Sequence, residues 1–205
     1  MGPLVKIGVM ALQGDFREHL VMVRRLGAEA VPIRLPREMT GLDGLIIPGG
    51  ESTVIGKLLV ENGLVEPVRT AIAAGLPIWG TCAGLILLAR ATENAMAGQP
   101  LLATMDIRVN RNAFGAQRES FITNLAIPAI GPIPFRAVFI RAPLVLETGP
   151  MVAVLARLDD GAIVAVRQGQ LLGSAFHPEI GDDPRFHQYF LDIVRERSDS
   201  PHPSP

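Results

Sequence analysis

Cysteine is nearly absent from the 205 residues: Cys82 stands alone, so no internal disulfide can form and the thiol is available for chemistry in a reducing compartment. Long apolar runs are missing too. Although 48% of the chain is hydrophobic, no stretch reaches the roughly 18 uninterrupted apolar residues of a membrane span. Neither sign of charge predominates: 19 basic and 20 acidic residues, well interspersed, give a net charge of -1. That balance offers no footprint for nucleic acid or an anionic membrane. The opening "MGPLVKIGVMALQGDF" carries Lys6 inside its apolar run and reads as a first strand, not a signal peptide. It also lacks the Ser or Thr at position 6 that myristoylation requires. A cytoplasmic protein, with no metal and no cofactor, is the expectation.

In the first half, short β-branched runs ending in glycine or proline alternate with helix-period segments, the signature of parallel βα units. "LVKIGVMA" leads into "DFREHLVMVRRLG", where Phe16, Leu20 and Val23 share a face and Gly27 closes the end. "DGLIIPGG" leads into "STVIGKLLVENG", with Ser52 or Thr53 placed as helix cap. "LPIWG" leads into a third helix over Ala83–Arg90. After about Gly98 come "MDIRVN", "SFITNLAI", "RAVFIRA", "VAVLARL", "AIVAVRQ" and "QLLGSAF", which read as antiparallel strands with "DDG" and "QGQ" as hairpin turns. "IPAIGPIPF" is too rich in proline for a central strand. A last helix, "DPRFHQYFLDIVRER", starts with Asp183 as cap and Pro184 in the first turn. The expected fold is α/β: a doubly wound, mostly parallel three-layer sandwich with an antiparallel extension, one domain over 1–197. The remaining 198–205, proline-rich, are expected to be a disordered tail.

The stretch "GTCAG" at 80–84 puts glycine two residues before and two after the lone cysteine, at a strand-to-helix turn. This is a nucleophile elbow written with cysteine, where only small neighbours fit. It lifts the sulfur to the carboxyl end of the sheet near a helix N-terminus, whose dipole favours thiolate. A lone cysteine can also be inert core filler beside Trp79; the paired glycines argue otherwise. A thiolate nucleophile needs a base. Of four histidines, His202 lies in the tail, and His19 and His187 fall within helices where a solvated or packed ring suffices. His177, in "LLGSAFHPE", ends a strand, with Pro178 extending the backbone before it and Glu179 two residues on to hold its tautomer. An oxyanion hole needs backbone donors. Ala83 supplies one, and the "PGGES" loop at 48–52, with Gly50, supplies the other.

"GTCAG" with "FHPE" resembles the cysteine-triad glutamine amidotransferases. "ALQGDFREH", "IIPGGEST", "RNAFG" and "FIRAP" narrow the resemblance to the glutaminase subunits of pyridoxal phosphate synthase, from about Lys6 to the last helix. The resemblance implies Cys82 as nucleophile, His177 as base and Glu179 as its orienting partner, acting on L-glutamine through a γ-glutamyl thioester. It implies glutamine contacts at Gly50, Glu51, Ser52, Arg111, Ile140 and Arg141, and ammonia transfer to a separate synthase subunit. Docking of that partner is expected to organise the Gly49–Gly50 peptide, with Gln13 stabilising one orientation. The chemistry is consistent: an amino acid offers an ammonium for Glu51 and a carboxylate for Arg111 or Arg141. The chain departs from the usual family text at Ala113 and Ala116, where serine and arginine are commoner.

Three other readings stay open from the residues. A cysteine hydrolase on the same scaffold would share the elbow. A non-catalytic interaction subunit would not need Cys82. A glutaminase serving another biosynthetic pathway would share the triad but not "ALQGDFREH" and "RNAFG".

Overall fold

The computed structural model describes residues 4–94, 96, 98–111 and 120–199. Ala113, Ala116 and residues 200–205 of the expected tail lie outside them. In chain order the first half runs β1 (Lys6–Met10), α1 (Phe16–Arg25), β2 (Glu29–Ile33), β3 (Gly44–Ile47), α2 (Ser52–Glu61), α3 (Val65–Ala73), β4 (Ile78–Thr81) and α4 (Ala83–Leu88). The second half runs β5 (Ala89–Glu93), β6 (Met105–Asn110), β7 (Ser120–Leu125), β8 (Phe135–Ile140), β9 (Leu144–Thr148), β10 (Ala153–Arg157), β11 (Ile163–Gln168), β12 (Leu171–Ser174) and α5 (Arg185–Asp199).

Ten strands form one sheet in the order β2-β1-β3-β4-β12-β11-β9-β6-β5, with β10 pairing β11; β7 and β8 form a separate hairpin. From β2 to β12 every neighbour is parallel, and antiparallel pairing begins where β11 joins β12. The second half is therefore not uniformly antiparallel as its short connections suggest. β12 returns beside β4 in parallel, and β5 and β6 form a parallel pair beyond β9.

Helices cover both faces. Trp79 on β4 is fully buried and meets His19 of α1 and Phe186, His187 and Phe190 of α5, with ring centroids 4.8 to 5.7 Å apart. Because side chains alternate along a strand, the next residue, Gly80, faces the opposite layer. A Cβ there would lie 2.5 Å from the Gly84 carbonyl carbon of α4. The expected three layers follow: α1 and α5 on one side, α4 with α2 packed against it on the other. Burying the five fully buried phenylalanines of β8, the β12–α5 segment and α5 contributes about 1.5–3 kcal/mol per side chain.

Several local readings change. The third helix stops at Leu88 rather than Arg90, and the chain turns straight into β5. The amides of Leu102 and Thr104 take the Leu87 and Leu88 carbonyls at 2.7 and 3.0 Å, so tertiary partners satisfy the helix end. The cap of α2 is Glu51, whose carboxylate accepts from the amides of Thr53 and Val54 at 3.1 and 2.9 Å; Ser52 and Thr53 are already helical. β2, α3 and β9 are elements the sequence reading passes over. At α5, Asp183 Oδ1 does accept from the Arg185 amide, at 3.0 Å. That helix reaches Asp199, past the expected boundary at 197.

α4 presses on β3 with only glycine between them: a Cβ on Gly84 would stand 2.1 Å from the Ile47 carbonyl oxygen. Backbone cannot yield as a side-chain tip can. Gly84→Ala is expected to lower stability by roughly 1–3 kcal/mol, the cost of overpacking, measured by urea unfolding. An unchanged midpoint would mean that α4 slides freely on β3.

Candidate active site

Four adjacent parallel strands, β1, β3, β4 and β12, end on one edge of the sheet. Their carboxyl-terminal loops bring Gln13, Gly50, Cys82 and His177 together from widely separated parts of the chain. These residues line one cleft of about 370 Å³. Glu51, Ser52, Arg111, Ile140 and Arg141 line it as well, so the cleft gathers all the expected substrate contacts. Asp15 and Ile86 also line it and were not anticipated.

Cys82 occupies the turn between β4 and α4 with φ 47° and ψ -100°, a conformation an L-residue adopts at a cost of order 1–3 kcal/mol. Its amide donates to Ser174 O of β12 at 2.8 Å, and its carbonyl accepts from Ile86 N at 3.3 Å. The side chain is 6% exposed. The elbow expected from the two glycines is thus present in backbone form.

His177 follows β12 and is fixed through its amide to Val138 O of β8 at 2.8 Å. Its Nδ1 lies 2.7 Å from Glu179 Oε1. A carboxylate only accepts, so Nδ1 carries a proton and Nε2 is the nitrogen left for the thiol. Burial pulls the imidazole pKa down, but hydrogen bonds and charge from Cys82 and Glu179 outweigh it and raise it to about 10. Glu179, itself buried, is pushed above the usual carboxylate range by desolvation, against the pull of His177. Asp15 Oδ2, 3.5 Å from the same Nδ1, adds a second negative charge. Asp15, His177 and Glu179 place ligand atoms within 4.8 Å of one another, as a metal would need, but Nδ1 is already committed to Glu179.

The Gly49–Gly50 peptide is held on both flanks. Gly49 O accepts from Asp15 N at 3.2 Å, and Glu51 N donates to Gln13 Oε1 at 2.8 Å. Gly50 has φ +147°, and a Cβ on it would collide with Gln13 Oε1 at 2.5 Å. The loop after β1 therefore clamps the loop after β3. Ala83, whose amide is the other expected oxyanion donor, is buried at the start of α4.

Charge on the far side of the cleft is internally paired. Arg111 Nη2 donates to Glu51 Oε1, and Nη1 donates to Thr53 Oγ1 at 3.0 Å and to Gln99 Oε1 at 3.3 Å. Gln99 Nε2 in turn donates to Ser52 Oγ at 3.1 Å. Burial tends to raise the Glu51 pKa, but the amides of Thr53 and Val54 and the Arg111 charge hold it below the usual range. Glu51 is thus first a helix cap and Arg111 its counter-ion. Arg141, exposed at the end of β8, has φ 42°, a left-handed conformation that places an unusual residue at the rim of the cleft. Gln99 carries no motif of its own and could not be singled out in the sequence.

The raised pKa of His177 has a direct test in a titration followed by ¹⁵N NMR. The wild-type imidazolium should persist to about pH 10. Removing either stabilising partner leaves burial, which favours the neutral ring, so Cys82→Ala and Glu179→Gln should each lower the midpoint toward the unperturbed value of about 6.5. A midpoint unmoved in both variants contradicts the assigned contacts.

The model of the SNO glutamine amidotransferase family matches residues 9–196. The chain is 55% identical over 192 residues to the pyridoxal 5'-phosphate synthase subunit PdxT of Leifsonia xyli subsp. xyli, covering 94% of this chain and 97% of that protein. It is 56% identical over 190 residues to the PdxT of Carboxydothermus hydrogenoformans, covering 93% and 98%. Among solved structures it is similar to a glutamine amidotransferase at 48% identity and TM-score 0.87, covering 92% of this chain and 98% of that one. At 16% identity, the structure of PurLQS from Thermotoga maritima shares the fold, with TM-score 0.67 over 95% of this chain and all of that one. A match running from the first strand into the last helix leaves no segment of the cleft outside it, and the chain belongs to the SNO glutamine amidotransferase family.

Proposed function

We propose that this chain hydrolyses L-glutamine to glutamate and ammonia through Cys82, His177 and Glu179, and passes the ammonia to a synthase subunit that builds pyridoxal phosphate. The observation that carries the reading is Cys82 on a strained elbow, lining one cleft with His177, whose Nδ1 lies 2.7 Å from the buried Glu179 carboxylate behind it. The names of the relatives, subunits of pyridoxal 5'-phosphate synthase, support the choice of partner.

The Cys82 thiolate attacks the carboxamide carbon, and the carbonyl oxygen becomes an oxyanion held by the amides of Ala83 and Gly50. The His177 imidazolium gives its proton to the leaving nitrogen, and ammonia departs from a γ-glutamyl thioester. His177, now neutral, takes a proton from water as it attacks the thioester; glutamate leaves and the thiolate is restored. Glu179 orients the ring and offsets its charge throughout. Arg141 is the guanidinium for the substrate carboxylate, because Arg111 is engaged by Glu51 and Thr53.

Cys82→Ala should abolish ammonia release, by roughly 10⁴- to 10⁶-fold, with the fold intact by circular dichroism. Wild-type turnover in that variant would remove Cys82 from the mechanism and favour an interaction subunit. Arg141→Ala should raise KM for glutamine with little change in kcat, since the contact is the same in ground and transition states. Unchanged saturation would assign the carboxylate elsewhere.

Ammonia released into neutral water is mostly protonated and no longer nucleophilic, so hydrolysis is useful only when the acceptor is docked. The Gln13 and Asp15 clamp on the Gly49–Gly50 peptide offers a means: docking that shifts the loop after β1 changes the orientation of an oxyanion donor. The isolated chain should turn over slowly, and adding the synthase should raise kcat by about 10²- to 10³-fold, the worth of one oxyanion donor. Full activity of the isolated chain would refute activation by docking. Undiminished activation of Gln13→Ala would take that residue out of it.

A further inference from the structure

Two histidines that the reaction above does not use lie buried directly behind the triad. His19, on α1, and His187, on α5, are 0% and 1% exposed. His19 Nδ1 lies 2.9 Å from His187 Nε2. On its other side His19 Nε2 stands 3.4 Å from Glu179 Oε2 and 3.3 Å from Thr81 Oγ1, the residue before the nucleophile. Glu179 Oε2 is the carboxylate oxygen not bonded to His177; it is fully buried and accepts no hydrogen bond among the described residues, so the His19 Nε2 contact is electrostatic.

A buried carboxylate oxygen needs a donor facing it. If His19 presented a bare Nε2, its lone pair would oppose the carboxylate, and its Nδ1–H would donate to His187 Nε2, leaving the His187 proton on a buried Nδ1 with no acceptor among the described residues. With the proton on Nε2, His19 hydrogen-bonds Thr81 Oγ1 and turns the positive end of its N–H dipole toward Glu179 Oε2, while Nδ1 becomes the acceptor for His187 Nε2–H. His187 Nδ1, which has no partner among the described residues, is then the end of the chain and carries only a lone pair. That is the cheaper orphan, because a buried donor without a partner is rarer than a buried acceptor.

We infer that His19 is a positioning residue for the triad: its Nε2–H, in a tautomer set by His187, faces Glu179 Oε2 and so keeps Oε1 on His177. Burial holds both histidines below their ordinary pKa, His187 at about 3, so the relay is made of dipoles. A neutral donor orients Glu179 without cancelling its charge, which remains available to the His177 imidazolium. A charged His19 would compete for it. The assignment rests on Cys82, His177 and Glu179 acting as proposed above.

The packing of both rings on Trp79 supports a purely space-filling role as well, and the variants are chosen to separate the two. His19→Phe keeps a ring without the donor, and His19→Gln keeps a donor near the Nε2 position without the ring. Ammonia release in the presence of the synthase should fall about 10- to 100-fold in kcat for His19→Phe, the scale of one hydrogen bond to a charged group, with KM unchanged. His19→Gln should recover most of it, and His19→Phe should add nothing to Glu179→Gln in the double variant. Equal damage from Phe and Gln, losses additive with Glu179→Gln, or wild-type kcat in His19→Phe overturns the inference. Should Phe not fold at 19, Asn, whose amide reaches only the Nδ1 position, replaces it. The tautomer itself is read by ¹⁵N NMR of the unmutated, histidine-labelled chain: a protonated Nε2 and bare Nδ1 on His19 are expected, and the reverse overturns the assignment. That readout is independent of activity. A wild-type chain releasing no ammonia with its synthase would retire the glutaminase reading, while the tautomer would still decide the case of His19.

Discussion

The contact on which the site depends is backbone against backbone. α4 lies so close to β3 and β4 that no side chain fits at Gly80 or Gly84, and Ile47 O would meet any Cβ on Gly84. That approach forces the chain to leave β4 and enter α4 within a single residue. Cys82 absorbs the turn at φ 47°. Its position is thereby set by the sheet and not by a loop, and the strain is borne by the buried surroundings, where the Ser174 carbonyl of β12 takes the Cys82 amide. The same strand delivers His177 three residues later. Cys82 and His177 are therefore registered to each other through the parallel pairing of β4 with β12.

Burial raises the pKa of both carboxylates of the cleft, but it wins at Glu179 and loses at Glu51. At Glu179 and His177 the groups are removed from water: Cys82 and Glu179 stabilise the His177 imidazolium, and His177 pulls the Glu179 carboxylate toward its charged form without offsetting its burial. A desolvated pair of this kind is costly to break from one side. At Glu51 and Arg111 the charges are partly hydrated and shared with backbone amides and Thr53. That second pair shapes a wall, and its contribution to stability is modest because solvent screens it. The His177–Glu179 pair thus lies in the dry part of the cleft and the Glu51–Arg111 pair at its wetter wall.

Much of this was legible in the residues. Paired glycines around a lone cysteine, and proline after a histidine with glutamate beyond, are local patterns whose geometric meaning does not depend on the rest of the chain. The parallel half was readable for the same reason: strand, glycine and helix alternate along it. What escaped was set by tertiary partners. Ala89–Glu93 continues a helical run, yet it extends because β6 pairs with it. Ser52 and Thr53 are good caps by type, but the chain places Glu51 one residue earlier with two amides in reach. β12 has the look of one more antiparallel strand, and only its insertion beside β4 brings His177 to the cleft. His19 and His187 lie 168 residues apart. Helical periodicity places each on an inward face without saying that they meet.

The order of strands explains why these long-range meetings occur at the site. β1, β3, β4 and β12 are adjacent in the sheet although β12 is almost the last strand of the chain. Each contributes one loop to the same edge, and each loop touches the next: residues 13–15 bind 49–51, Gly49 abuts the His177 ring, and Ser174 holds Cys82. A displacement of the outermost loop is passed inward by direct contact, with no intervening flexible segment to absorb it. On the proposed mechanism, a partner that engages the surface near the end of β1 acts on the Gly49–Gly50 peptide through two hydrogen bonds, while Cys82 and His177 are also tied through their own amides to the Ser174 and Val138 carbonyls. In that proposal control falls first on transition-state stabilisation, because the His177–Glu179 contact lies within the segment after β12 and does not pass through the loop after β1.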